Sequence, residues 1–300
     1  TRFCQVTGVQ TCALPIYGLR RRMKPELREK YERLRKILSS FPSAIAAFSA
    51  GVDSALLAVV AADVLGDRFS ALTILSDFNP PELRAAAEAF AARFGFRHEW
   101  IRVEIEEDPE ILRNPPDRCY RCKKLMMERI WAIARERGAA VVIEGQNADD
   151  GKVYRPGRRA VEETGTRSPL AEAGLTKAEI RALSKELGLP TWNAPASPCL
   201  ATRIPYNVPI RRADLDRIAE AERRIKELGI ADCRVRLIAG IAVIEVAPED
   251  METVLSAREA LNTRLRALGF ERCVLDLGGY RSGSFDGGLM TRPGAQRGKR

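Results

Sequence analysis

A short apolar run, Ala44–Phe48, passes through Ser49-Ala50-Gly51-Val52-Asp53-Ser54 into a second apolar stretch, Ala55–Val64, and this junction constrains the chain more than any other feature. The run before the turn has the length of a strand. The stretch after it, built from Ala, Leu and Val, has the length of a helix. A strand that enters a helix through a glycine turn opens a βαβ unit, so the next strand lies parallel to the first. The turn also has a chemical signature. Backbone N–H groups bared by glycine, with the positive end of a helix behind them, suit an anion such as a phosphate. Ser49 and Ser54 add hydroxyl donors. Asp53 repels phosphate, so it serves to hold the loop or a Mg²⁺ ion. No Gly-Lys-Ser/Thr follows, which excludes a Walker loop. An ordinary tight turn is the bland alternative; the whole hexapeptide in this context favours the phosphate.

The same alternation continues. Pro25 opens a helix to Ser40, with Leu27, Tyr31, Leu34 and Leu38 on one face. Ser70–Leu75 and Trp100–Ile105 read as strands, Pro81–Phe94 as a helix stopped by Gly95, Cys119–Arg137 as a helix stopped by Gly138, and Ala139–Glu144 as a buried strand. Thr176-Lys177-Ala178-Glu179 is a capping box for a helix that ends at Gly188. After the Pro- and Ser-rich loop Pro190–Pro209 the pattern changes: helix Arg211–Leu228, strands Arg234–Leu237 and Ala242–Ala247, helix Glu249–Leu268, strand Arg272–Leu277. The expected fold class is α/β. A parallel-sheet domain over 24–206 carries helices on both faces, and a smaller α+β domain covers 207–283. Residues 1–23 and the Gly-rich basic tail 284–300 are expected to be disordered. Val6–Ile16 has no helical or strand period and reads as translated adapter sequence, so Cys4 and Cys12 are left out of the chemistry.

Charge bears on partners. The net +9 invites a nucleic-acid reading. Yet Arg2, Arg20, Arg21 and Arg22 face no acid within residues 1–23, and Arg292, Arg297, Lys299 and Arg300 face only Asp286 beyond Ser284. The chain between is close to neutral, which argues against a nucleic-acid partner. No apolar run is long enough to span a bilayer and no signal peptide opens the chain, so the expected location is cytoplasmic. Seven irregularly spaced cysteines do not form a secreted disulfide framework. With His98 as the only histidine, Ser-His and Cys-His mechanisms have no material.

The phosphate loop resembles the Ser-Gly-Gly-x-Asp-Ser signature of the PP-loop ATP pyrophosphatases, with Ala50 in place of a glycine. Within that superfamily five segments resemble the LarE sulfur transferases of nickel-pincer cofactor synthesis. They are Asn114–Lys123 (NPPDRCYRCK), Glu144–Asp150 (EGQNADD), Tyr154–Gly157, Ser168-Pro169-Leu170 and Pro195–Tyr206 (PASPCLATRIPY); Tyr280–Ser284 also fits. The resemblance covers 24–284. It implies ATP and Mg²⁺ as cofactors and a reaction that adenylates one carboxylate of a pyridinium biscarboxylate mononucleotide, releases pyrophosphate and installs sulfur as a thiocarboxylate. It also implies a homo-oligomer and, for some members, a sulfur donor system.

Site residues follow from the residues and the resemblance together. Ser49 to Ser54 (Ser49, Ala50, Gly51, Val52, Asp53, Ser54) with Gly145, Asn147 and Asp150 are assigned to the nucleotide. Asp150 is a candidate for Mg²⁺ and equally for a helix cap. Cys199, held between prolines and small residues, is the candidate nucleophile, with Arg203 as the nearest cation in sequence to lower its pKa. Arg155, Arg203, Arg234 and Arg236 are candidates for the dianionic substrate, because guanidinium forks suit carboxylate and phosphate; Glu222 and Glu245 are weaker candidates. Cys119, Cys122 and Cys199 are three thiols that, by the resemblance, hold a 4Fe–4S cluster with one iron open; in other members the cysteine at 199 instead gives up its own sulfur and becomes dehydroalanine. Cys233 and Cys273 read as core. Where the family carries acids, Lys152 and Val153 stand; where it carries a histidine, Ile238 stands. Two rival readings remain: a PP-loop tRNA thiolation enzyme, which would want a basic face, and a non-catalytic ATP sensor, which would have no use for Cys199.

Overall fold

The structure is a computed structural model that describes residues 23–105, 108–152, 156–195 and 198–280. Two compact units emerge. The first takes in the described residues up to Ser76, then 81–104 and those from Asp117 to Pro195; the second begins at Pro198 and also draws in 77–80 and 105–116. Pro198–Tyr206, placed by the sequence with the nucleotide domain, therefore belongs to the second unit.

The first unit runs α1 (Pro25–Ser39), β1 (Ala44–Ala47), α2 (Val52–Leu65), β2 (Phe69–Leu75), α3 (Leu83–Phe94), β3 (His98–Arg102), α4 (Arg118–Glu136), β4 (Val141–Ile143), α5 (Pro156–Glu163), α6 (Pro169–Glu172) and α7 (Lys177–Glu186). All strand pairs are parallel, in the order β3-β2-β1-β4. Pleating divides the core. Ala44 and Ala46 of β1 pack with α1, α2 and α7, while Ile45 faces Met127, Ile130 and Ala134 of α4. Small residues on the α2 side let that helix lie close, and nearly all of it is buried, including Leu56, Leu57, Val59 and Val60. Each such leucine contributes about 2 kcal/mol of burial. Phe48 closes the end of this core, its ring 5.6 Å from that of Phe96 in an edge-on contact. The chain leaves β1 toward β2 on one side and returns to β4 on the other, so β1 and β4 flank a switch point whose crevice opens at their carboxyl ends.

The second unit holds α8 (Arg212–Lys226), β5 (Cys233–Ile238), β6 (Ile241–Val246), α9 (Met251–Ser256), α10 (Arg258–Ala267) and β7 (Arg272–Leu275). β5 and β6 form a hairpin, and β7 joins β6 in parallel. Leu215, Ile218, Ala221 and Ile225 make the buried face of α8.

Several expectations shift. The third strand is 98–102, two residues earlier than its apolar run, because His98 and Trp100 pair with Ala71 and Thr73. The helix expected over 249–268 breaks at Ala257 into α9 and α10. The loop helix starts at Val52, not Ala55, so half of the hexapeptide is its first turn. Helices α5 and α6 were not expected. Among the described residues no helix is long and apolar enough to cross a membrane.

Candidate active site

The phosphate loop sits at the switch point, after β1. Gly51 caps α2 in extended geometry, and Ala50 before it has φ +53°, the left-handed region in which glycine is at ease and alanine is strained. The first-turn N–H groups of Val52, Asp53 and Ser54 follow this twist and have no i−4 carbonyl within the helix. Ser54 is buried, and its hydroxyl is committed within the loop. It donates to the Gly51 carbonyl at 3.1 Å, receives the Ser49 N–H at 3.3 Å and lies 3.0 Å from Ser49 Oγ. Ser49 is exposed, and so it is the hydroxyl with room for a phosphate. Gly145, at the exit of β4, lies against the same turn: a Cβ there would stand 3.0 Å from Ser54 N and 3.3 Å from Ser54 Cα. Its lack of a side chain lets the two loops meet.

Asp53 is held from two sides. Lys177 Nζ pairs with its Oδ2, and Asn147 Nδ2 donates to Oδ1 at 3.3 Å. Asn147 N–H donates to Oδ2 of the buried Asp150 at 3.0 Å, and Lys177 N–H to Asp149 Oδ2 at 2.9 Å. Asp150 therefore braces the turn after β4. Asp53 and Asp150 are the loop carboxylates suited to a hard cation, which would screen phosphate charge. Lys177 was not among the residues that the sequence singled out. Its only signal there was its position as first residue after the Thr176 cap, which aims an ammonium at the loop. Ser168 of the Ser-Pro-Leu segment donates to the buried Glu144 at 2.6 Å, and Lys123 reaches the same carboxylate at 3.4 Å, tying α4 to the end of β4.

Cys119 and Cys122 lie in the first two turns of α4, three residues apart, both half-buried and neither in a disulfide. Buried Arg118 reaches Cys119 Sγ at 3.5 Å. The pair is spaced as two thiolate ligands require. Among the described residues, however, no three His, Cys, Asp or Glu side chains gather into a set that would hold a metal ion. Arg155 and Val153 lie outside the described residues.

The thiol loop belongs to the second unit. Half-buried Cys199 precedes a single 3₁₀ turn, Leu200–Arg203, anchored by Leu200 N–H to the Phe78 carbonyl at 2.8 Å. Arg203 is only 2% exposed. Its Nε and Nη2 grip Glu222 at 2.8 and 3.0 Å, and Nη1 donates to the carbonyls of Pro198 and Cys199 at 3.0 and 3.2 Å. From there it holds the backbone of Cys199 rather than presenting a fork to a ligand. Glu222 also accepts the Val235 N–H at 3.0 Å, at the outer edge of β5. Arg236 repeats the pattern, bound to Glu245 at 2.5 Å and to the Thr202 carbonyl at 3.0 Å. Arg234 pairs with Asp232 and lies 4.7 Å over the Tyr280 ring. In the sequence these arginines and acids are separate candidates; the fold buries Arg203 with Glu222 and Arg236 with Glu245 as matched pairs. Cys233 is core, and burial pushes its thiol up to about 12. His98 bonds Thr73 at 2.8 Å and burial lowers its pKa. Trp100 is exposed beneath Arg84, 4.2 Å from its guanidinium, and away from the core.

No family model matches the chain. It is 40% identical over 263 residues, 87% of this chain and 98% of the other, to an uncharacterized protein of Synechocystis sp.. It is 37% identical over 238 residues, 79% of this chain and 86% of the other, to the pyridinium-3,5-bisthiocarboxylic acid mononucleotide synthase of Lactiplantibacillus plantarum. The chain belongs to the LarE family. It is an enzyme of the PP-loop superfamily, and a more distant likeness agrees: 26% identity over 222 residues, 68% of this chain and 70% of the other, to one component of the glutamine-hydrolyzing GMP synthase of Methanothermobacter thermautotrophicus.

Proposed function

We propose that the chain converts a carboxylate of a pyridinium biscarboxylate mononucleotide to a thiocarboxylate at the expense of ATP. The observation that carries this reading is the Ser49–Ser54 loop at the switch point, which opens into the first turn of α2 and whose Asp53 pairs with Lys177. The activity for which the L. plantarum relative is named supplies the substrate class. A carboxylate oxygen attacks the α-phosphorus and pyrophosphate leaves. Lys177 and the loop amides take up the charge that grows on the departing phosphates. Asp53 and Asp150 would hold Mg²⁺. The acyl adenylate has AMP as a good leaving group, so the Cys199 thiolate attacks its carbonyl and AMP departs, leaving a thioester on Cys199. Cys119 and Cys122 supply two of the thiolates that an iron–sulfur cluster needs. Among the described residues no complete ligand set is assembled.

The test is substrate-dependent pyrophosphate release with Mg²⁺-ATP, read together with the mass of the organic product. Release that rises with the biscarboxylate mononucleotide, and a product in which sulfur replaces oxygen, is the expected result. Release that ignores this compound but rises with tRNA would move the assignment to RNA thiolation. ATP binding without any release would leave a sensor.

A further inference from the structure

The peptide that joins Phe48 to Ser49 carries the chain out of β1 into the phosphate loop, and both of its polar ends are held by side chains. The Phe48 N–H still bonds β2, at the Leu72 carbonyl, 2.8 Å away. The Phe48 carbonyl accepts the hydroxyl of Thr73 at 2.9 Å. At the other end of the same peptide, Ser49 N–H donates to Ser54 Oγ at 3.3 Å, and Ser54 passes its own proton to the Gly51 carbonyl at 3.1 Å. A planar peptide caught at both ends has little freedom to rotate. It delivers the chain in one orientation to Ala50, which makes the left-handed twist of the turn. Thr73 is fully buried, and its hydroxyl has a second neighbour, His98 Nε2 at 2.8 Å.

That second contact has only one polarity. A hydroxyl owns one proton and a carbonyl can only accept, so the Thr73 proton belongs to Phe48. The imidazole must then donate, which makes His98 the Nε2–H tautomer. Burial lowers the pKa of the ring, which keeps it neutral near pH 7. The ring stands edge-on to Phe48, with centroids 5.7 Å apart. The donors thus run in one direction, from His98 through Thr73 to the Phe48 carbonyl, and across the peptide from Ser49 through Ser54 to Gly51, the cap of α2. Aligned donors polarise one another, and a buried chain with each member satisfied is rigid. The sheet itself calls for neither side chain, since β2 and β3 pair through their backbones, Ala71 with His98 and Thr73 with Trp100. We infer that Thr73 and His98 are positioning residues for the phosphate loop: they fix the peptide from which Ser49 and the first turn of α2 are hung, and so set how closely the loop fits the phosphates of ATP. The inference rests on the use of ATP proposed above.

The test compares two ligands on the full-length chain by calorimetry, Mg²⁺-ATP and the biscarboxylate mononucleotide. Thr73→Val keeps the shape and removes the hydroxyl; it should weaken Mg²⁺-ATP about tenfold and leave the mononucleotide within about twofold. Thr73→Ser should restore ATP binding. His98→Phe keeps a ring beside Phe48 but has no N–H, and should weaken ATP in the same sense. His98→Gln, whose amide N–H can stand for Nε2–H, should bind ATP as the wild type does. With one histidine in the chain, the imidazole ¹⁵N signals belong to His98 alone. Near neutral pH they should report the Nε2–H tautomer, and added ATP should shift them in the wild type but not in Thr73→Val. An Nδ1–H tautomer would overturn the inference, as would wild-type ATP affinity in both Thr73→Val and His98→Phe. Equal losses for the two ligands, unrelieved by serine, would mean a general role in stability and would overturn it too. Should Thr73→Val not fold, the His98 variants decide, and equal ATP affinity in Phe and Gln refutes the chain of donors. Substrate-dependent pyrophosphate release that is the same in wild type and variants leaves the function standing and removes this role. A wild type that binds no ATP removes both.

Discussion

Ala50 stands in the left-handed region, φ +53°, at the turn from β1 into α2. Replacing it by glycine removes a steric conflict between Cβ and the following carbonyl. For positions of this kind, exchanging alanine for glycine gains about 1 kcal/mol after the extra entropy of unfolded glycine has been counted. The Ala50 methyl is half-buried against the α2 core, and losing it costs about 0.4 kcal/mol, half of a buried methylene. The net is a gain of about 0.5 kcal/mol, which raises the melting temperature by about 1–2 °C in a unit of this size. Ala50→Val works in the opposite direction: a β-branched side chain at positive φ is a true outlier and costs about 2 kcal/mol, or about 4–8 °C. Thermal unfolding followed by circular dichroism, without nucleotide, should order the variants Gly above Ala above Val. At an ordinary negative φ, alanine would equal or exceed glycine. That ordering would refute the loop geometry, and with it the placing of the first-turn amides.

Gly145→Ala should weaken ATP binding about tenfold or more by calorimetry and cost about 1–3 kcal/mol of stability, because the new methyl meets Ser54 backbone rather than a movable side chain. Glu222→Gln leaves the Arg203 guanidinium buried against a neutral partner, so chemical denaturation should show a loss of about 3–5 kcal/mol. The Tyr120 hydroxyl, and after it Arg159, holds the Glu163 carboxyl down to about 2, against 4.5 for an isolated group. A depressed folded-state value means that this link between α4 and α5 is complete above the ordinary carboxylate value and is lost as pH falls through about 2. In Tyr120→Phe an NMR titration of Glu163 should move up toward the ordinary value. Iron and acid-labile sulfide after anaerobic reconstitution decide the sulfur source: about four iron per chain, lost in Cys119→Ala, would place it in a cluster, and no iron in either would leave it to Cys199.

The α/β order and the phosphate loop were legible because periodicity changes sharply at Ser49–Ser54 and a glycine marks the turn. The capping box at Thr176 was legible for the same reason: its residues interact with their near neighbours, and both halves of the box are formed. What escaped was set by distance in sequence. Arg203 and Glu222 lie nineteen residues apart, and nothing local says that they face each other, so Arg203 read as a cation for the thiol and a fork for the substrate. Lys177 lies 124 residues from Asp53, and its role at the loop exists only in three dimensions. The early start of β3 and the break at Ala257 were invisible for another reason: neither His98-Glu99-Trp100 nor an alanine between Ser256 and Arg258 carries a strong preference against its neighbours.

One carboxylate oxygen of the second unit has two tasks at once. Glu222 Oε1 accepts both Arg203 Nε and the outward N–H of Val235, so it closes the open margin of β5 with the same atom that steadies the thiol loop. A foreign strand could add to that margin only by displacing the carboxylate. In doing so it would release the guanidinium from behind Cys199. Resistance to edge-to-edge association and the placing of the Cys199 loop are thus linked through a single atom.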